Sequence, residues 1–286
     1  MVTDGASALL ASYNVHKCVG TDGKFDPDRI AAVIAEIGPD IIALQEADKR
    51  FGDRDALLDL DAINRATGLV PVAVQNGHSG HGWHGNLVLV REGLICALSQ
   101  LRLPGLEPRG ALVVDIDLVA GPVRVMAAHL GLLRHSRLLQ IQALLAHATA
   151  EDGRPVVLMG DMNEWRLRKR SSLHPMRGGF AGVGDGVPSF PAYFPVLPLD
   201  RILVRPHGLL EPLEAHRTAL SRVASDHLPV KARLRLGREA VIAADTLAKE
   251  DPMTDETETP ARRRPRLLAS VGAAARRRRN RAEARR

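Results

Sequence analysis

From Ala8 to about Leu236 the chain alternates apolar runs with short turn signals, and no repeat period appears, so one domain is expected rather than a solenoid. The runs ALLASYNV and DIIALQE are apolar almost throughout and read as buried strands. Between them the period becomes helical. Asp26 can cap, Pro27 suits the first turn, Ile30, Val33, Ile34 and Ile37 follow at i, i+3, i+4, i+7, and Gly38-Pro39 stops the helix. A second helix is expected over Asp55 to Thr67, with Leu57, Leu58, Leu60 and Ile63 on one side and Gly68 at its end. A third follows His129, with Leu138, Ile141, Leu145 and Ala148 sharing a face.

NLVLV, ICALSQL, ALVVDIDLV and PVRVMAAHL are strand-like runs joined by short Gly/Pro turns. Consecutive strands without helices between them imply antiparallel pairing. PVVLMGD is one more buried strand; a Gly/Pro-rich stretch from Arg177 to Pro198 follows, then LDRILV and LPVKARLRL. The mixed pattern predicts an α/β protein of two packed, largely antiparallel sheets with helices outside, not a doubly wound parallel sheet.

At 286 residues and 45% apolar composition the chain can bury a sizeable core. No stretch near the N-terminus combines a basic start, an apolar run and a small-residue cleavage site, and no apolar run approaches the roughly 20 residues that span a bilayer. A cytoplasmic protein is expected, and Cys18 and Cys96 are expected to be reduced thiols. The net charge of +6 resembles a nucleic-acid footprint until it is located. Residues 1–237 carry 26 basic and 25 acidic side chains, residues 238–260 carry 2 and 7, and residues 261–286 carry 11 and 1. The body is near neutral, followed by an acidic linker over 238–260 and an arginine-rich tail over 261–286 that is expected to be disordered.

Polar residues punctuate the ends of the apolar runs: Asn14 in SYNVHK, Glu46 in IIALQEAD, Asp161 and Asn163 in VVLMGDMNEW, Asp226-His227 in ASDHLPV. In a strand, positions i and i+2 share a face, which would bring Asp161 and Asn163 into one cavity and set Asn14 beside His16. A carboxylate there can hold or deprotonate water, and an amide can stabilise a developing phosphoryl charge. GDMN also suits a plain strand-ending turn. Glu46 is either a solvated strand end or a carboxylate whose burial a cation relieves; magnesium takes oxygen ligands, and Glu46, Asn14 and Asp226 offer them. Lone histidines usually pack, but His129 and His227, each at a strand end and with acids about, suit proton transfer to and from a phosphoester. Asp200, opening LDRILV, is the expected orienter of His227. The same dyad occurs in serine hydrolases, but no G-x-S-x-G elbow supports that reading.

SYNVHK, LQEAD, GNLVLV, AAHLGL, GDMN, LDRILV and SDHLPV, in this order from about Leu10 to Leu236, resemble the endonuclease/exonuclease/phosphatase superfamily with the DNase I-like fold. The resemblance implies a four-layer α/β/β/α sandwich with its site where strand ends and loops of the two sheets meet. It implies Asn14 and Glu46, with Asp226, on the metal side, holding Mg2+ or Mn2+. Asp161 would orient or activate water, and Asn163 would stabilise the transition state. His129 would contact the scissile phosphate and assist the leaving group, and His227, paired with Asp200, would bind phosphate and handle protons. No acid in the GHGWHGN segment offers itself as a partner for His129.

NVHKCVGTDGKFD, GWHGNLVLVR and PRGALVVDI further resemble a bacterial branch of metal-dependent hydrolases, with some likeness to sphingomyelinase-type and lipid-remodelling relatives. Arg109 and Asn86 are candidates for touching substrate phosphate, with Arg109 alternatively a solvated charge. The spacing of His78, His81 and His84 invites zinc, although the Gly-rich setting suits a loop rim better. The leading expectation is a phosphodiesterase or phosphatase acting on a small or lipid-linked phosphoester. A DNA or RNA nuclease is the alternative, disfavoured by the near-neutral body, and a catalytically silent binding module is a third reading. The tail is expected to meet an anionic membrane surface or nucleic acid, making the protein peripheral in the first case. The sequence leaves the oligomeric state open.

Overall fold

A computed structural model describes residues 6–49, 55–75, 80–150, 152–166, 168–184, 186–237 and 242. Apart from Ile242, the expected linker and tail lie outside the described residues, as does His78. The first half runs β1 (Ser7–Asn14), α1 (Pro27–Ile37), β2 (Ile41–Gln45), α2 (Leu60–Thr67), β3 (Val70–Pro71), β4 (Leu87–Val90), β5 (Leu94–Leu103) and β6 (Arg109–Leu118). The second runs β7 (Gly121–His129), α3 (Arg134–Leu145), β8 (Val156–Asp161), β9 (Asp200–Arg205), β10 (Glu214–Ala215), α4 (Ser221–Ala224) and β11 (Val230–Arg235).

The strands form two mixed sheets, ordered β10-β11-β1-β2-β4-β3 and β5-β6-β7-β8-β9. Each holds one parallel pair made by a helical crossover: β1-α1-β2, with Asn14 opposite Gln45, and β7-α3-β8, with His129 opposite Asp161. Every other neighbouring pair of named strands is antiparallel. Three apolar clusters separate four layers. Leu10, Ile41 and Val88 of one sheet meet Leu112, Val125 and Val157 of the other in the central cluster. Tyr13, Ile42 and Leu44 face Ile30, Ile34 and Ile63 of α1 and α2. Met126 and Leu158 face Ile141 and Leu144 of α3. Both faces of the central strands are therefore covered, which is why these runs are apolar at successive positions rather than alternate ones.

Helix α1 has the expected ends: the Asp26 carboxylate accepts from the Arg29 amide at 3.1 Å and Gly38 closes the helix at φ 60. Helix α2 is shorter than expected. It begins at Leu60, because Asp59 caps it by accepting from the Ala62 amide at 2.8 Å, so Leu57 and Leu58 precede it. The inward face of α3 is also rotated from the expected one: Arg137, Gln140, Ile141 and Leu144 are buried, and Leu138 and Leu145 are only partly so.

Candidate active site

The two crossover units bring four strand ends to one edge of the sandwich: Asn14 ends β1, Glu46 follows β2, His129 ends β7 and Asp161 ends β8. Antiparallel neighbours complete it. Asp200 opens β9 opposite Asp161, and Asp226-His227 lead into β11, tied to β1 by the Ser225 hydroxyl donating to the Asn14 carbonyl at 2.7 Å. The backbone is bent where these side chains leave the sheets. Glu46 (φ 54), Asn163 (φ 48) and His16 (φ 44) occupy the left-handed region, which non-glycine residues adopt rarely and mostly under tertiary constraint. Asn163 thus reaches the site through a turn after β8, not through strand alternation, and His16 sits in a 3-10 turn (His16–Cys18).

Asp161 is the hub. Its Oδ2 accepts from Asn14 Nδ2 at 3.0 Å across the sheet-sheet boundary, and lies 3.4 Å from His129 Nε2 and 3.8 Å from His227 Nε2. Its Oδ1 accepts from the Asn163 amide at 2.9 Å. The Asn163 side chain donates to the Leu130 carbonyl at 2.9 Å, leaving its second amide hydrogen for another acceptor. On the far side of His227, Nδ1 lies 2.8 Å from Asp200 Oδ2, which also accepts from the Ser189 hydroxyl at 2.6 Å. Phe190 closes the ring in, with centroids 4.9 Å apart.

Burial alone would lower the His227 pKa, but the carboxylates of Asp200 and Asp161 outweigh it and raise it to about 10. Burial raises Asp161, against the pull of His227, to about 6. At neutral pH His227 is therefore held as an imidazolium beside Asp161. A carboxylate so poised can accept a hydrogen bond from water, and the imidazolium can hold a phosphoryl oxygen.

Glu46 and His129 share an open cleft of about 330 Å³ with Lys17, Asp48, His84 and Arg109. The Lys17 ammonium lies 2.5 Å from Glu46 Oε2; burial would raise the carboxyl pKa, but this pairing, with His16 and Arg109 beyond it, holds it below its ordinary value. Asn14 Oδ1 accepts from the His16 amide at 3.0 Å, and Asp226, one-third exposed, lies 3.7 Å from His16 Nδ1. The donor set is hard oxygen, as a divalent cation such as Mg2+ requires, and an ammonium now neutralises its most buried acid. Glu46, Asn14 and Asp226 therefore have the donor chemistry to hold a divalent ion. Asp161, Asp200 and His227 also bring ligand-type atoms within 4.8 Å of one another. There Asp200 Oδ2 is already engaged by Ser189 and His227, so hydrogen bonding accounts for that proximity.

Asn14, His129, Asp161, Asn163, Asp200 and His227 thus form one linked cluster, Glu46 lies in the cleft beside it, and Asp226 flanks it through His16. The acids near His129 come from outside GHGWHGN: Asp161, and Asp48 in the cleft wall. Arg109 is not a solvated charge; it is buried in the cleft wall with Glu107 at 3.1 Å. Asn86 is structural, donating to the Trp83 and Gly110 carbonyls at 3.1 and 3.0 Å. His81 and His84 engage separate carbonyls, of Leu58 and Pro108, rather than each other. Sequence reasoning missed Lys17 and Asp48, although both stand inside the motifs SYNVHK and LQEAD. It also missed Glu164, whose buried carboxylate takes the Ser172 amide and hydroxyl at 2.7 and 2.6 Å and lies 3.4 Å from Arg137 Nη2.

Comparison with known proteins bears on the family and the fold. The model of the Endonuclease/Exonuclease/phosphatase family matches residues 11–227. Uncharacterized protein YbhP of Escherichia coli strain K12 is 34% identical over 171 residues, 54% of this chain and 64% of that protein, so the chain spans just under two thirds of this relative's length. Among solved structures, an endonuclease/exonuclease/phosphatase from Beutenbergia cavernae DSM 12333 is similar at 25% identity and TM-score 0.61, over 81% of this chain and 72% of that one. The fold is also shared with the mannosyl-6-phosphatase Bt3783 of Bacteroides thetaiotaomicron VPI-5482, at 17% identity and TM-score 0.60, over 79% and 98%.

Proposed function

The chain belongs to the endonuclease/exonuclease/phosphatase family, and we propose that it is a divalent-metal-dependent hydrolase, using Mg2+ or Mn2+, that cleaves a small or lipid-linked phosphoester. The observation that carries the reading is Asp161: one buried carboxylate, fixed by Asn14 from the opposite sheet, within 3.4 and 3.8 Å of two imidazoles. Glu46, with Asn14 and Asp226, would hold the metal, which when bound would neutralise charge on the phosphate. Asp161 orients water and takes its proton as the water oxygen bonds to phosphorus. The His227 imidazolium, fixed by Asp200, holds a phosphoryl oxygen, and the free amide hydrogen of Asn163 serves the same developing charge. His129 faces the leaving oxygen and gives it a proton as its bond to phosphorus breaks, and the proton that Asp161 took from water returns to His129 Nε2, 3.4 Å from Asp161 Oδ2.

Asp161→Ala and His227→Ala are expected to lower metal-dependent turnover by at least about 10²-fold each while the protein stays folded. A panel of phosphodiester, phosphomonoester, phospholipid and nucleic-acid substrates with Mg2+ and Mn2+ tests this; wild-type rates in either variant would sink the mechanism. A nuclease is the second reading, favoured by Trp165 and the basic residues Arg166, Arg168, Lys169 and Arg170 just beyond Asn163. Strong metal-dependent nicking of DNA in the same panel would establish it. Attachment of the arginine-rich tail to an anionic membrane or nucleic acid belongs to this proposal too.

A further inference from the structure

The loops that leave the site carry large apolar side chains in solvent. Leu132 and Leu133 follow His129 by three and four residues, and Leu132 is 64% exposed. Trp165, 50% exposed, lies two residues past Asn163. Tyr193 and Phe194, 70% and 66% exposed, tip the segment that precedes Asp200, and the neighbouring Ala192 amide donates to the Asp226 carbonyl at 2.7 Å. Leu106, on the β5–β6 turn, is 85% exposed.

Hydrogen bonds join these loops into one rim. Glu107 accepts from the Leu132 amide at 2.6 Å, and the Arg137 guanidinium donates to the Leu132 carbonyl at 2.7 Å while reaching Ser172 and Glu164. Arg201 ties the Glu164 carbonyl to the Pro198 carbonyl, linking the Trp165 loop to the Tyr193–Phe194 loop. A soluble surface rarely gathers so many large apolar side chains on adjoining loops without a partner.

Charge says which partner. Residues 130–150 and 165–184 contain Arg134, Arg166, Arg168, Lys169, Arg170 and Arg177 at the surface, beside the buried Arg137 that Glu164 pairs, and no Asp or Glu, within a body that nets only +1. The Arg166 guanidinium stacks 4.8 Å from the Trp165 ring. Aromatic and aliphatic tips interleaved with arginines match the boundary between acyl chains and anionic headgroups. A nucleic-acid groove would set its aromatics to stack bases, with little use for protruding leucines.

We propose that this rim seats the protein on the surface of an anionic phospholipid bilayer, so that the site opens onto a headgroup phosphoester. The substrate part rests on the hydrolase reading; the seating does not, and it is read without turnover. The chain has two tryptophans, and Trp83 is partly buried with Nε1 bonded to the Leu101 carbonyl at 2.8 Å, leaving Trp165 as the reporter. With vesicles of phosphatidylcholine and phosphatidylglycerol, full-length protein is expected to show a blue-shifted emission quenched by lipids brominated in the acyl chain. The signal should vanish in Trp165→Phe.

Tyr193→Ser with Phe194→Ser is expected to lower partitioning by about tenfold or more, with an unchanged unfolding midpoint showing that the variant folds. Vesicle binding without a Trp165 response would mean that the arginine-rich tail alone holds the protein, and overturns the proposal. So would a response to oligonucleotides but not to vesicles, or unchanged partitioning in the folded double variant. Insertion without hydrolysis of any phosphoester supports the seating and sinks the hydrolase reading. Metal-dependent hydrolysis of a soluble phosphodiester without insertion does the reverse.

Discussion

At the scale of single residues the site is an electrostatic compromise. His227 sits in a place that would discharge an isolated imidazole, and the carboxylates on either side keep it charged. Because its pKa rises from 6.5 to about 10 on folding, the folded state binds this proton more tightly than the unfolded chain does. The stability it contributes is complete below pH 6.5 and is lost as pH rises through about 10. Asp161, raised from 3.8 to about 6, acts in the same direction at lower pH: its contribution is complete below 3.8 and lost as pH rises through 6. In metal-free protein, kept so with a chelator, the urea midpoint is expected to fall between pH 6.5 and 10. His227→Gln should flatten that slope, and a wild-type midpoint that rises over this window would contradict the assignment of the charge.

At the scale of elements, two crossover units set the site and a buried ion pair braces it. Arg137 on α3 and Glu164 after β8 are both buried, and through the Gly131 and Leu132 carbonyls and Ser172 they fasten the loop after His129 to the loop after Asn163. Glu164→Ala leaves a buried guanidinium without its acid, at a cost of about 3–5 kcal/mol. Denaturant unfolding measures this, and Arg137→Met combined with Glu164→Leu is expected to remove only the unpaired-charge part of the loss, because the Gly131 and Leu132 carbonyls and Ser172 lose their partners. This bracing was not legible in the sequence, since an inward helix face bearing Arg137 and Gln140 carries no apolar period. The apolar runs were legible because strands covered on both faces must be apolar at successive positions. The two-residue strands β3 and β10 are too short to leave a pattern, and the start of α2 depended on whether Asp55 or Asp59 caps. Strand-end polar residues could be read as a group. Their meeting followed from the family resemblance and from no local pattern: Asn14 and Asp161 are 147 residues apart, and only the packing of two sheets joins them.

At the scale of the whole chain, charge is segregated by position. The body over 1–237 nets +1, the segment over 238–260 nets −5, and the last 26 residues net +10. If the last segment acts only as an attachment device, the catalytic body has no need of it. Removing residues after Gly237 is then expected to preserve both the unfolding midpoint and metal-dependent hydrolysis of a soluble phosphodiester. Attachment to anionic vesicles should weaken and become less salt-dependent, since basic residues near such a surface contribute up to about 1 kcal/mol each and are screened over roughly 10 Å at 0.1 M ionic strength. What binding remains would come from the rim, whose arginines leave it a smaller salt dependence and whose apolar tips keep part of it at high salt and still shift Trp165 emission. Vesicle sedimentation across a salt series separates the two contributions. A truncated protein that loses turnover of the soluble substrate would show that the tail belongs to the catalytic unit.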